Sequence, residues 1–345
     1  MRFQLTEEQR DLRTGMRELL AGRFGREALR AAVDAAEARE VAKALEAAGA
    51  AGVTEAGRGA PGAPRGAQGA AEAPDGVGLD GADPGRGGLV RGGLDRALWR
   101  ELGDAGFFAL RLPEADGGVG LGLPEAVLLF EETGRALLPG PLVATHLAAG
   151  EVPGAGEGTA VVTAVDGTLV EWIDAADVVL GDVTGAAPVR PVDPLTPLHR
   201  VPGPRRPPAA TADTADLLTA AQQLGSAART CEMAVQYAQE REQFGQKIGA
   251  FQAVKHLCAQ MLVRVETTRS AVYAAAVTGD PLDVATAALL ADEAAVRGAR
   301  DCLQVHGGMG FTWEADVHLH LKRAWVRAER GRTAAEREEA LAAAL

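Results

Sequence analysis

The chain has 345 residues, 47% of them hydrophobic, and a formal net charge of −12. This length allows two or three structural units with substantial cores. The acidic balance argues against a nucleic-acid surface, which needs clustered lysine and arginine, and the sequence contains no apolar run long enough to cross a bilayer.

The cysteines and the N-terminus indicate the expected compartment. Cys231, Cys258 and Cys302 stand alone, without the paired spacing of a disulfide framework or a zinc site. Residues 1–5 lead directly into a polar helix pattern and lack the apolar stretch of a signal peptide. We therefore expect small buried thiols, no metal site, and a protein of the reducing cytoplasm.

Residues 1–150 are predicted to form an N-terminal helical domain. It begins at 6–9 with the capping-box pattern Thr-Glu-Glu-Gln, which is typical of a helix start. Helical periodicity returns over 94–110 and 124–137, and a last short helical turn is expected at 145–149.

Residues 48–93 differ in composition from the rest of this domain. They consist largely of glycine, alanine and proline with scattered charges. Such a segment has too little apolar surface to offset the entropy of ordering it, so we expect a disordered or loosely attached insertion.

Residues 151–210 are predicted to form a small β middle domain. β-Branched residues concentrate in three short runs, at 159–165, 168–173 and 178–180. Asp-Gly and Gly-Asp pairs, which favour hairpin turns, follow the first and third runs. The pattern predicts a small antiparallel sheet or barrel.

Residues 211–345 are predicted to form a C-terminal helical bundle. Apolar residues over 217–235 recur every three to four positions, which indicates one buried helix face. An Asp-Pro pair at 280–281 and a glycine-rich stretch at 307–310 mark turns. Four long antiparallel helices would satisfy this pattern, so the expected fold class is mainly α with a small β middle domain.

Two short motifs in the bundle carry the chemical signal. The first contains Arg241, whose planar guanidinium matches phosphate oxygens, and Phe244, whose flat ring can stack on adenine. The second contains Gln304, Gly307 and Gly308, where missing side chains let backbone N–H groups approach a phosphate or a ribityl chain. Together they favour an anionic, aromatic cofactor.

Each motif also has a plain structural interpretation. Arg241 fits a surface ion pair with Glu240 or Glu242, and the two glycines fit a turn between helices. Taken singly these interpretations compete with cofactor binding. The two motifs together, in this order, favour the functional one.

The motifs resemble those of the flavin-dependent acyl-CoA dehydrogenases, whose late helical region reads Arg-x-x-Phe-Gly, then Phe-Gln, then Gln-x-x-Gly-Gly-x-Gly. The likeness is strong over residues 216–323 and fair over 101–108 and 113–122. The middle domain departs from the family, because it is short and has no counterpart of the segment ending in Gly-Ser-Asp that contacts the flavin ring.

The resemblance implies FAD as cofactor, an acyl thioester as substrate and electron-transfer flavoprotein as acceptor. It also implies an oligomer, either of identical chains or with a full-length acyl-CoA dehydrogenase subunit. By position, the residues that would hold or adjoin the adenine and pyrophosphate end of FAD are Arg241, Gln243, Phe244, Ile248 and Gln252. Those that would reach the same cofactor from a neighbouring subunit are Gln304, Gly307 and Gly308.

The catalytic base is where the resemblance is least complete. Dehydrogenation needs a partly desolvated carboxylate that removes the α-proton of the thioester. In one branch of the family the base would fall at Gly331, near Glu329, which we expect on a solvated, ion-paired face. In the other it would fall at Ala215, beside Asp216. Asp216 is the better candidate, although it equally fits an acid in the first turn of a helix, and Glu314 is a further candidate to line the flavin pocket.

The compact middle domain and the missing base together favour one hypothesis. The chain is similar to the smaller subunits of heteromeric actinobacterial dehydrogenases that oxidise steroid side-chain thioesters, in which a full-length partner supplies the base. One alternative is a self-sufficient homomeric enzyme that uses Asp216 or another acid. A second is a helical scaffold or regulatory subunit that keeps the family fold without a cofactor.

Overall fold

The computed structural model describes residues 4–56, 90–203 and 209–345. Most of the predicted insertion, residues 57–89, therefore lies outside the described residues. Its flanks are regular: helix α2 (Arg26–Ala56) continues through the alanine-rich start, and strands β1 (Val90–Arg91) and β2 (Leu94–Asp95) pair in antiparallel fashion. Alanine has the highest helix propensity, which favours this continuation. The disorder or loose attachment expected over residues 48–93 stays a prediction.

The N-terminal helices begin where the sequence provides caps. Helix α1 (Glu7–Arg23) starts at Thr6, whose hydroxyl accepts from the backbone N–H of Gln9 at 3.1 Å. The Gln9 side chain accepts from the Thr6 backbone N–H at the same distance, which completes the predicted capping box. The other helices of this region are α3 (Arg96–Asp104), α4 (Leu123–Arg135) and α5 (Leu142–Ala148).

The middle region contains five strands of three residues each: β3 (Val162–Ala164), β4 (Leu169–Glu171), β5 (Val178–Leu180), β6 (Ala187–Val189) and β7 (Leu198–Arg200). Strands β4, β7 and β6 form an antiparallel sheet in that order. β3 and β5 instead pair in parallel, so the hairpin prediction is wrong for them. The chain turns after β4 at Trp172, whose φ angle is 60°. The Asp177 carboxylate, just before β5, accepts a hydrogen bond from the Val161 N–H, just before β3, at 2.9 Å. The turn and this hydrogen bond bring the start of β5 beside the start of β3.

The C-terminal region is helical, which confirms the predicted fold class. Its helices are α6 (Ala209–Glu240), α7 (Gln252–Thr278), α8 (Pro281–His306), α9 (Val317–Ala328) and α10 (Ala334–Ala343). Three are long, and the shorter α9 and α10 both pack on α8 in place of a fourth long helix. Among the helices of the described ranges, none is long and apolar enough to cross a bilayer.

Helices α4 and α6 cross at two glycines and so join the N-terminal region to the bundle. A Cβ atom on Gly134 would lie 2.0 Å from the Gln222 carbonyl oxygen. One on Gly225 would lie 1.9 Å from the Glu131 carbonyl oxygen. Only glycine allows this approach of the two backbones, and the same apolar core then continues across both regions.

Candidate functional site

The first predicted motif forms an exposed hairpin at the end of α6. Strands β8 (Glu242–Gln243) and β9 (Gln246–Lys247) are joined by Phe244 and Gly245, whose φ angles are 54° and 78°. Two positive φ angles define a type I′ turn, in which a bulky residue is strained. The Phe244 side chain is 92% exposed. Its ring makes an edge contact with the Phe251 ring, with centroids 6.1 Å apart, and the rest of its surface is open to an external group.

Arg241 is exposed beside this hairpin and makes no ion pair with any residue that the structure describes. Glu242 pairs with Lys247 at 2.8 Å, and the Glu240 carboxylate accepts from Gln236 at 2.9 Å. The surface ion pair that offered a plain interpretation of Arg241 is therefore not formed. Its guanidinium is available to an anion.

The second motif lies at the same end of the bundle as the first. The Tyr237 ring, one turn before Arg241, stacks on the His306 ring with centroids 4.2 Å apart and an interplanar angle of 19°. Gly307 directly follows His306 and ends α8 with φ 59°. One protomer thus presents both motifs on one surface.

Gly308 shows why this surface suits a nucleotide. Its backbone is not left-handed, and a Cβ atom there would meet nothing within 4 Å. Neither conformation nor packing within this chain therefore requires glycine at this position. The backbone at this position is therefore uncovered and open to close approach by an external group.

The remaining predicted cofactor positions lie around the same end of the bundle. Ile248 is half-buried and packs against the core. The three exposed amides of this set belong to Gln243, Gln252 and Gln304. The roles of these residues in cofactor binding stay predictions.

A cavity of about 260 Å³ lies at the other end of α6, between α5, the middle strands, α6 and the end of α9. Ala215, Asp216 and Gly331 all line it. A Cβ atom on Gly331 would lie 3.5 Å from Asp216 Oδ1. The fold thus brings together the two positions at which the family resemblance places a base.

Asp216 is bound to arginines rather than free. It is 5% exposed and is the eighth residue of α6, so the alternative of a first-turn acid is wrong. Arg332 Nε donates to its Oδ2 at 2.6 Å, and Arg337 Nη2 lies 3.4 Å from Oδ1. Both carboxylate oxygens thus contact guanidinium groups, whereas a general base needs a lone pair that faces the substrate. Its catalytic role stays a prediction.

Two half-buried carboxylates also line the cavity and were not found from the sequence. Asp166 and Glu171 each contact Arg330 at 2.8 Å. Burial raises the pKa of both carboxyl groups, and the Arg330 charge opposes that rise. Glu151, the remaining carboxylate of the lining, is exposed. Among the carboxylates that the structure describes in this lining, all except Glu151 therefore contact an arginine.

The end of α9 supplies three arginines to the cavity. Arg323, Arg327 and Arg330 are spaced by four and then three residues, so they share one face. Glu329 is exposed, as expected. Arg327, two residues earlier, is buried, so the solvated face predicted around Glu329 does not include Arg327. The spacing was the signal for a common face, but spacing alone does not separate a buried face from a solvated one.

Glu314 lies elsewhere. Its side chain is exposed, its carbonyl oxygen accepts from Arg26 Nη2 at 3.0 Å, and it is not among the residues that line the cavity.

The two regions are well separated within one protomer. Asp216 and Tyr237 are both on α6, about 32 Å apart along the helix at 1.5 Å per residue. A flavin held at the Arg241 surface would therefore meet its reacting partner outside this protomer's own cavity.

Comparisons with known proteins identify the family. The family models described as "Acyl-CoA dehydrogenase, N-terminal domain" and "Acyl-CoA dehydrogenase, C-terminal domain" match residues 90–160 and 212–335. The acyl-CoA dehydrogenase IpdE2 of Mycobacterium tuberculosis is 39% identical over 258 residues, which cover 67% of this chain and 81% of IpdE2. FadE34 of the same organism is 33% identical over 298 residues, which cover 69% of this chain but 40% of FadE34.

A solved structure shows the same fold. The ChsE4–ChsE5 complex from Mycobacterium tuberculosis matches with a TM-score of 0.68 at 21% identity, covering 99% of this chain and 98% of the matched chain. The two family models occur in the expected order, and the likeness to IpdE2 extends over most of that protein's length. The chain belongs to the acyl-CoA dehydrogenase family.

Proposed function

We propose that this chain is the base-lacking subunit of a heteromeric acyl-CoA dehydrogenase that carries out FAD-dependent α,β-dehydrogenation of an acyl thioester. Its contribution is the surface formed by the ends of α6 and α8, which binds the nucleotide end of FAD. The proposal rests on the distance between this surface and the cavity, which is about 32 Å along α6 from Tyr237 to Asp216.

The residues at the ends of α6 and α8 match the parts of FAD that they would hold. Arg241 has no internal ion pair and offers two parallel N–H donors to a pyrophosphate. Phe244 presents an exposed ring for stacking on adenine. Gly307 and Gly308 leave room for close backbone approach. FAD, when bound, supplies the acceptor for the substrate hydride, and the residues here bind and orient it.

The cavity supports the assignment of the base to a partner. A general base needs a lone pair that is free to take a proton, whereas Asp166, Glu171 and Asp216 all accept from arginines. The position of the base in one branch of the family is Gly331 in this chain. A heteromer is consistent with the similar ChsE4–ChsE5 fold, whose two named components form a complex. An electron-transfer flavoprotein is the proposed electron acceptor.

The test is co-expression with a full-length acyl-CoA dehydrogenase subunit, followed by measurement of the flavin-to-protein ratio and of flavin bleaching by acyl-CoA. Gly308→Leu is the sharpest variant, because this chain leaves open space at that position. We expect it to lower the flavin content with an unchanged melting temperature. Gly22→Leu, at another glycine with open space, is the matched control and retains the flavin.

Arg241→Ala is expected to lower the flavin content as well. Arg297→Ala, which removes an exposed arginine paired with Glu293 at 3.2 Å, serves as its control. A colourless complex in every preparation would support the scaffold alternative and refute cofactor binding. A chain that is yellow when purified alone, and that is bleached by an acyl-CoA, would refute the base-lacking assignment.

A further inference from the structure

Arg327 is a buried cation without a partner. Its relative exposure is 6%, and it lines the cavity. It makes no ion pair or side-chain hydrogen bond with any residue in the described ranges, and its Nη1 atom is fully buried without a hydrogen-bond acceptor. A guanidinium stays protonated at neutral pH, so this position carries an uncompensated positive charge.

The nearby carboxylates are engaged by other arginines. Arg323 binds Asp193, and Arg330 binds both Asp166 and Glu171. These contacts leave Arg327 as the only one of the three arginines on this face without a carboxylate partner among the described residues. Two more buried polar atoms of the lining, Arg330 Nε and Asp166 Oδ1, also have no hydrogen-bond partner. Arg327 therefore remains the cation of this lining that lacks an anionic partner among the described residues.

The opposite wall is apolar. Side chains of α5, the middle strands and α9 form it, namely Leu142, Val143, Leu147, Trp172, Leu180 and Val326. The volume of about 260 Å³ is just below the range of roughly 300–1,000 Å³ typical of drug-sized ligands. A ligand that satisfies both walls is small, with a carboxylate at one end and a hydrocarbon part at the other.

We propose that this cavity binds the carboxylate of a small aliphatic acid, with Arg327 as the anion receptor and the α5 wall around the hydrocarbon. A charge-assisted pair between guanidinium and carboxylate supplies two parallel hydrogen bonds. The site goes beyond the proposed function and does not rest on it, because the cavity lies at the opposite end of α6 from Arg241. The carboxylate belongs either to a free acid or to the distal end of a carboxyacyl thioester.

Isothermal titration calorimetry on the full chain, in carboxylate-free buffer, tests the site. Hexanoate and hexanamide are matched probes that differ in charge. We expect hexanoate to bind at least about tenfold more tightly than hexanamide, since a buried charge-assisted pair is worth more than a neutral one. This comparison uses the unaltered protein and stands even if a variant fails to fold.

The variant arm compares Arg327→Met with Arg300→Met. Arg300 is exposed on α8 and lies 6.0 Å from the Trp325 ring centroid, outside the cavity lining. We expect Arg327→Met to weaken hexanoate binding by about tenfold or more, and Arg300→Met to leave it unchanged within about twofold.

A second pair of probes, adipoyl-CoA and hexanoyl-CoA, separates the two sources of the carboxylate. Hexanoate binding that depends on Arg327 shows that a free acid suffices. Arg327-dependent binding of adipoyl-CoA alone assigns the site to a carboxyacyl thioester. Equal binding of hexanoate and hexanamide, unchanged binding in Arg327→Met, or no binding of any of the four probes would overturn the proposal.

Discussion

Replacing Arg327 by methionine is expected to stabilise the ligand-free protein. Methionine keeps an unbranched apolar stem against the cavity wall and removes the charge. Burial is the main reason that the pKa of Arg327 falls from its ordinary value to about 9, and the neighbouring Arg323 lowers it further. The folded state thus disfavours the charged guanidinium.

The size of the effect follows from that pKa. The difference corresponds to on the order of 5 kcal/mol against the charged form. Because the folded pKa lies below the unfolded one, the penalty is fully present at neutral pH and disappears only as pH rises from about 9 towards the pKa of the unfolded chain. Apolar replacements of buried ions recover about 1–4 kcal/mol, which in a chain of this size raises the melting temperature by roughly 2–8 °C.

The assay is urea and thermal denaturation at pH 7 in carboxylate-free buffer, with Arg300→Met as the control. Arg300 is exposed, so its replacement is expected to change the free energy of unfolding by less than about 0.5 kcal/mol. If Arg327→Met lowers the free energy of unfolding by more than about 1 kcal/mol, the guanidinium has a stabilising partner and the reasoning is refuted.

Three more predictions concern the scaffold and the base candidate. Gly225→Ala places a Cβ atom 1.9 Å from a carbonyl oxygen of α4 and should lower the stability measured in thermal melts by about 3 kcal/mol or more. Gly22→Ala, at a glycine with open space, is the control and should cost nothing. Equal melting temperatures for the two variants would contradict the helix crossing. Burial lowers the pKa of His146 to about 4 and that of His320 to about 3, so both are neutral in the fold but protonate near pH 6.5 when unfolded. Stability should therefore fall as pH drops below about 6.5, by about 2 kcal/mol per histidine at pH 5, and a flat urea midpoint between pH 7 and 5 would contradict this. Asp216→Asn removes one of the two carboxylates that Arg332 and Arg337 each contact, while Asp213 and Asp292 remain, and should cost about 1–3 kcal/mol in urea unfolding. Unchanged stability with lost turnover would instead identify a catalytic base.

Much of the local structure could be predicted from the sequence. The capping box at Thr6 and Gln9 and the helix boundary at Gly279 and Asp280 depend on contacts within a few residues, which a sequence pattern displays directly. The motif that contains Arg241 and the motif that contains Gly307 and Gly308, in that order, likewise indicated the family. The fold class followed from the same patterns.

Only the tertiary structure decided the pairing of β3 with β5 and the environment of the charged residues. Arg327 and Glu329 are two positions apart and equally polar, yet Arg327 is buried and lines the cavity, whereas Glu329, the first residue after α9, is exposed. The position of Asp216 beside Gly331 and the stack of Tyr237 on His306 also join segments that are distant in sequence. Local patterns report hydrogen bonds and periodicity within one element, whereas burial and charge pairing depend on which elements pack together.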